Sequence, residues 1–91
     1  MRTMAHPLFS REYKILREML VVERRKRGLT QIALAKKMKI TQSYISKIEC
    51  GERRMDVFEL LKLASAIGFD PAKFVGKLSR QTRFPISTRL R

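Results

Sequence analysis

The sequence predicts an all-α domain of five short helices. Three observations carry that prediction. Apolar residues recur at three- and four-residue spacing, the signature of a one-sided helix face. They are mostly Leu, Ile, Met, Val and Ala, whereas strand-favouring Thr, Tyr and Trp are sparse. Helix punctuation agrees with that period, because Ser, Thr or Asp precedes each periodic stretch and Gly28, Gly51 and Gly68 each stand where one should end. At 91 residues the chain has material for one domain and not for two, so its stability must come from one tight core.

Residues 1–9 contain Pro7 and no apolar period, and are expected to form a flexible arm. Ser10 can cap a first helix running to about Arg27, with Leu16, Met19, Leu20 and Glu23 on one face and Gly28 as its stop. Thr30 caps a second, short helix to about Met38, with Leu34, Ala35 and Met38 facing inward. Lys39 and Ile40 make a tight turn. Thr41 then caps a third helix over residues 42–49, with Ile45 and Ile48 on its inner face and Gly51 beyond its end. Asp56, followed three residues later by Glu59, has the spacing of a capping box. The fourth helix that follows carries Val57, Leu60, Leu61, Ala64 and Ile67 as its expected apolar side. Asp70-Pro71 reads as cap and first position of a fifth helix, docked by Phe74, Val75 and Leu78. The domain is therefore expected over residues 10–78. Residues 79–91 hold Arg80, Arg83, Arg89 and Arg91 without an acid and are expected to be a disordered basic tail.

Charge narrows the function. Lys and Arg total 21 against 8 acids, a net +13. Solubility needs only a few net charges, so the excess points to a polyanionic partner: DNA, RNA or an acidic membrane surface. Charge alone does not choose among them. The one cysteine, Cys50, has no partner for an internal disulfide and no companions for a zinc site. The longest apolar run, Met19 to Val22, is far too short to cross a bilayer, and the first eight residues lack a signal peptide's apolar stretch. One histidine, no nucleophile beside a base, and no Gly-rich phosphate loop argue against an enzyme, and no cofactor is expected.

Two short capped helices joined by a tight turn have the geometry of a helix-turn-helix. The first would lie across a DNA backbone and the second would enter the major groove, which admits one helix. Close crossing needs a small residue, which Ala35 supplies. Leu34, Met38, Ile40, Ile45 and Ile48 would form the shared apolar wedge, leaving Gln42, Ser43, Ser46 and Lys47 outward.

The run Gly28-Leu29-Thr30-Gln31, then Leu34-Ala35, then Thr41 to Glu49 with Gly51, resembles the Cro/repressor-like (XRE-type) helix-turn-helix family. The stretch Gly51 to Asp56 followed by Val57-Phe58-Glu59 resembles a bacterial subgroup of it. The resemblance covers about residues 12–78 and implies a compact five-helix domain that binds duplex DNA sequence-specifically, to which the composition adds flexible basic termini. By resemblance, Gln31 would hold a phosphate at the start of the second helix, together with that helix's N-terminus. Gln42, Ser43 and Lys47 would read bases, with Gln42 suited to adenine and Lys47 to guanine. Thr41 opens this helix and belongs to the same surface. Tyr44 and Ser46 are candidates for phosphate or thymine-methyl contact, and Arg53 and Arg54 match a backbone-contacting segment. Arg24 and Glu49 match a structural ion pair. The chain departs from the pattern at Lys39, where glycine is usual, at Cys50, where Asn or a basic residue is common, and at Glu23, usually small or apolar. Arg25, Lys26 and Arg27 read as a solvated basic face.

The expected function is a cytoplasmic, bacterial or phage-encoded transcriptional regulator of the repressor type, acting as a homodimer on double-stranded DNA. The fifth helix is the expected pairing surface. The alternative is an antitoxin-type module that holds a toxin protein and also binds DNA. Membrane-surface binding by the basic first helix leaves the capped helices at Thr30 and Thr41 without a purpose.

Overall fold

A hydroxyl or carboxylate caps the N-terminus of every helix in the structure, a computed structural model that describes residues 10–84. Ser10 accepts from the Tyr13 amide at the start of α1 (Arg11–Lys26), and Thr30 from the Ala33 amide at α2 (Gln31–Met38). Thr41 accepts from the Tyr44 amide at α3 (Gln42–Cys50). Asp56 and Glu59 form a reciprocal capping box at α4 (Val57–Ile67), and Asp70 with Pro71 opens α5 (Pro71–Thr82). Each side chain satisfies an amide that the helix itself leaves without a partner.

These caps fix where each chain segment turns, and the turns fix the packing. α2 lies against α3 and α4, while α1 lies against α3 and α5. Leu20, Leu34, Ala35, Ile45, Ile48, Leu60, Leu63, Ala64, Ile67, Phe69 and Phe74 form one buried cluster. Ala35 is fully enclosed, as a close α2–α3 crossing requires. Among the described residues there is no strand, and no helix is long and apolar enough to cross a membrane.

The turn between α2 and α3 answers what lysine does in place of glycine. Lys39 adopts the left-handed conformation, φ 59°, ψ 43°, and the Ile40 amide reaches back to the Ala35 carbonyl at 3.0 Å. The turn thus keeps the glycine geometry, and the lysine backbone carries the strain, on the order of 1 kcal/mol.

Four expectations change. The apolar side of α4 is rotated: Leu60, Leu63, Ala64 and Ile67 are buried, whereas Val57 and Leu61 face out. The buried set follows a strict i, i+3, i+4, i+7 course, and Val57, at the first helical position, lies off its end. Val75, expected to help dock α5, is exposed, and Phe69 in the α4–α5 link joins the core instead by packing on Phe74, with ring centroids 4.8 Å apart. α5 does not stop at residue 78 but continues to Thr82, whose hydroxyl donates to the Leu78 carbonyl. The composition change at residue 79 is therefore not a structural boundary. Arg27 is not merely a solvated charge: it donates to the Gly68 carbonyl and pairs with Glu23 at 2.6 Å, tying α1 to the end of α4. That pairing also accounts for Glu23 at a position usually apolar. The expected arm over residues 1–9, and the tail beyond residue 84, lie outside the described residues.

Candidate nucleic-acid interface

Helical period decides what α3 shows to solvent. Ile45 and Ile48 are buried, so residues 42 and 46, and 43 and 47, form two rows on the opposite side. Gln42, Ser43 and Lys47 are exposed and Ser46 is half-buried. Thr41, also exposed, spends its oxygen on the cap but keeps a hydroxyl proton to donate. The first turns of α2 and α3 contain no acid, so neither helix offsets the positive end of its dipole with a carboxylate of its own first turn.

Behind this face lies a chain of bonds that begins in the core. Arg24 and Glu49 meet by two parallel bonds, Nε to Oε2 at 2.6 Å and Nη2 to Oε1 at 2.8 Å, with both side chains only 7% exposed. The remaining Arg24 nitrogen, Nη1, donates to the Leu29 carbonyl at 2.7 Å. Gln31 Nε2 donates to Glu49 Oε1 at 2.9 Å, and Gln42 Nε2 donates to Gln31 Oε1 at 2.8 Å. The side chain at the start of α3 is thereby connected through Gln31 to the buried pair. Arg17 reaches the same place from α1, donating to the Glu49 carbonyl at 3.2 Å, at the negative end of α3. Its head lies under Gly51, where a Cβ would come within 2.9 Å of the guanidinium carbon.

Two of the expected contact residues are engaged elsewhere. The Tyr44 hydroxyl donates to Glu59 Oε2, so this side chain faces α4 rather than the open rows. Arg53 lies over the Tyr44 ring, 4.4 Å from its centroid, and pairs with the same Glu59 oxygen at 2.8 Å. Burial and the bond to Glu59 raise the Tyr44 pKa. Burial alone would push the Glu59 carboxyl up, but the Tyr44 hydroxyl, the Asp56 amide and Arg53 outweigh it, and its pKa is lowered. Arg54 is exposed.

The structure therefore gathers Thr41, Gln42, Ser43, Ser46 and Lys47 on one side, with Gln31 wedged behind Gln42. Tyr44 and Arg53 form a separate cluster with Glu59 at the junction of α3 and α4. Sequence reasoning missed Glu59 as more than a cap and missed Arg17 altogether. No local pattern signals contacts across such sequence separations.

The sequence matches the family described as helix-turn-helix over residues 22–74, and the XRE-type members share its architecture. The chain belongs to the XRE-type helix-turn-helix family. Its fold is similar to an XRE-family like protein from Pseudomonas syringae pv. tomato str. DC3000, at 38% identity over 78% of this chain and 87% of that one, with a TM-score of 0.75. It is also similar to the restriction-modification controller protein C.AhdI from Aeromonas hydrophila, at 28% identity over 71% of this chain and 98% of that one, TM-score 0.64. The wild-type controller protein C.Esp1396I shares the XRE-type fold at 23% identity, over 81% of this chain and 96% of that one, TM-score 0.71. No curated protein matches the sequence.

Proposed function

We propose that this XRE-type chain binds a specific duplex DNA sequence as a homodimer and regulates transcription from the cytoplasm, as a repressor. The observation that carries the reading is the outward polar face of α3: its apolar residues are spent on the core, leaving Gln42, Ser43 and Lys47 exposed. In this reading Gln42 and Lys47 hydrogen-bond base edges, with Ser43 and Ser46 beside them. Thr41, Gln31, Arg53 and Arg54 contribute to the phosphate-facing border. The net +13 adds sequence-independent attraction to it. The family membership and the similarity to two restriction-modification controller proteins support a regulatory role.

On the fifth helix Phe74 is buried in the chain's own core, while Val75 is 46% exposed and remains available for pairing. The start of α4 is a second candidate surface: Val57, Phe58 and Leu61 are 69%, 74% and 44% exposed and form a contiguous apolar face. That face directly follows the loop bearing Arg53 and Arg54. A two-fold dimer that uses it would need to space its two α3 helices about 34 Å apart to reach successive major grooves.

Selection of bound sites from random duplex DNA tests the reading, followed by binding of variants to the selected site. Lys47→Ala should relax the sequence preference, and Arg54→Ala should weaken binding to all duplexes alike. Phe58→Glu should yield a folded monomer in sedimentation. With about six phosphates neutralised, log affinity should fall with log salt at a slope near −5. Unchanged preference in Lys47→Ala would remove α3 from the base-reading role.

A further inference from the structure

We propose that Glu59 and Tyr44 are positioning residues for DNA, acting together to present Arg53 as a pre-ordered phosphate clamp. The inference rests on the reading of the chain as a duplex binder.

Arg53 is a long side chain in a loop, and such a side chain ordinarily samples many rotamers. Here three contacts fix it. The Tyr44 ring lies beneath the guanidinium, Glu59 Oε2 takes Nη1 at 2.8 Å, and the Arg54 carbonyl accepts from the same nitrogen at 2.8 Å. All the polar contacts of the head are thus made through Nη1. Nε and Nη2, the other edge of the plane, bond to no protein group among the described residues. That edge carries two parallel N–H donors, the arrangement that takes two oxygens of one phosphate. The Arg53 side chain as a whole is 40% exposed, which leaves it within reach of a ligand from solvent.

Glu59 is well suited to hold this arrangement because it is itself held. Its Oε1 accepts from the Asp56 amide at 2.9 Å, its own amide donates to Asp56 at 2.7 Å, and its side chain is only 18% exposed. Tyr44 belongs to α3 and Glu59 to α4. The clamp is thereby referenced to the helix that reads bases, and a phosphate gripped by Arg53 sets the register of α3 on the duplex. Immobilising one rotamer-rich side chain in advance is worth about 2- to 12-fold in affinity.

The sign of the effect separates this role from simple electrostatics. Removing a carboxylate near a polyanion should by itself tighten binding. If Glu59 orders Arg53, Glu59→Gln should instead weaken it, by about 2- to 12-fold. The salt slope should become shallower by up to about 0.9, the share of one phosphate. Tyr44→Phe, which leaves the charge unchanged, should weaken binding in the same direction. In the Arg53→Ala background Tyr44→Phe should have no further effect, and Glu59→Gln should show no weakening but only the tightening that loss of a negative charge brings, because the group they position is gone.

The experiment measures affinity for the selected duplex across a salt series, with wild type, Glu59→Gln, Tyr44→Phe, Arg53→Ala and the two double variants. Urea denaturation of each confirms that the folded fraction is complete. Weakening that disappears in the Arg53→Ala background supports the proposal. Tighter or unchanged binding in Glu59→Gln, or losses that persist in full without Arg53, overturn it while leaving duplex binding intact. Absence of salt-dependent duplex binding by the wild type overturns both this inference and the reading beneath it.

Discussion

Glu49→Ala should be the most destabilising single truncation on the polar side of this fold. The substitution leaves the Arg24 guanidinium, in a side chain 7% exposed, with one of its three bonds, that to the Leu29 carbonyl. It also strands the Gln31 amide that donates to the lost carboxylate. An uncompensated buried charge of this kind costs about 3 to 5 kcal/mol. A domain of this size holds about 4 to 11 kcal/mol in total. The loss thus consumes about a quarter of the stability at least, and at the lower bound three quarters or all of it. With a urea m-value near 1 kcal/mol per M, the midpoint should fall by about 3 to 5 M. Far-UV circular dichroism against urea at neutral pH reads this directly. The paired replacement Arg24→Met with Glu49→Leu removes both charges, and should leave stability unchanged or raise it by about 1 to 4 kcal/mol. Its DNA affinity should still fall, because Gln31 has lost its tether. A cost below about 1 kcal/mol for Glu49→Ala, with an unchanged m-value, would place the pair in the class of hydrated surface bridges and refute the reasoning.

Gly51→Ala should cost about 1 to 3 kcal/mol in urea denaturation, since φ is +89° there and the new methyl would force the Arg17 head from under the α3 terminus. Lys39→Gly should act oppositely, with a gain of up to about 1 kcal/mol, because the native left-handed backbone is strained for lysine. Asp56→Ala should cost about 1 kcal/mol through loss of the α4 capping box. The lowered Glu59 carboxyl contributes stability that is complete above pH 4.5 and lost as pH falls through its folded value. The raised Tyr44 hydroxyl contributes stability that is present below pH 10.0 and lost as pH rises through its folded value. Urea midpoints followed on both flanks should show these two losses, and Glu59→Gln should flatten them.

What the sequence made legible was local. Caps at Ser10, Thr30, Thr41, Asp56 and Asp70 each fix a helix start through a bond spanning two or three residues, and residue type alone signals such bonds. The α3 face was equally plain, since Ile45 and Ile48 fix its phase. The rotation of α4 was not, because Val57, Leu60, Leu61, Leu63 and Ile67 offer apolar residues on more than one face, and only packing against α2 and α5 selects among them. Thr82 extends α5 by a hydroxyl–carbonyl bond that leaves no compositional trace. Tyr44 and Arg53 show the same limit at the site. Their types fit a nucleic-acid contact, but Glu59, which engages both, lies on another helix.

The Gln31 amide has both of its ends occupied, one by the buried carboxylate and the other by the residue that opens α3. If position 42 reads bases as proposed, its choice of residue is coupled to position 31. Any replacement unable to donate leaves an acceptor of Gln31 vacant beside DNA, where phosphate oxygens cannot fill it. Under that reading, a change of preferred duplex sequence should be better tolerated as a paired exchange at 31 and 42 than as a single one, with Glu49 as the fixed point about which both are chosen.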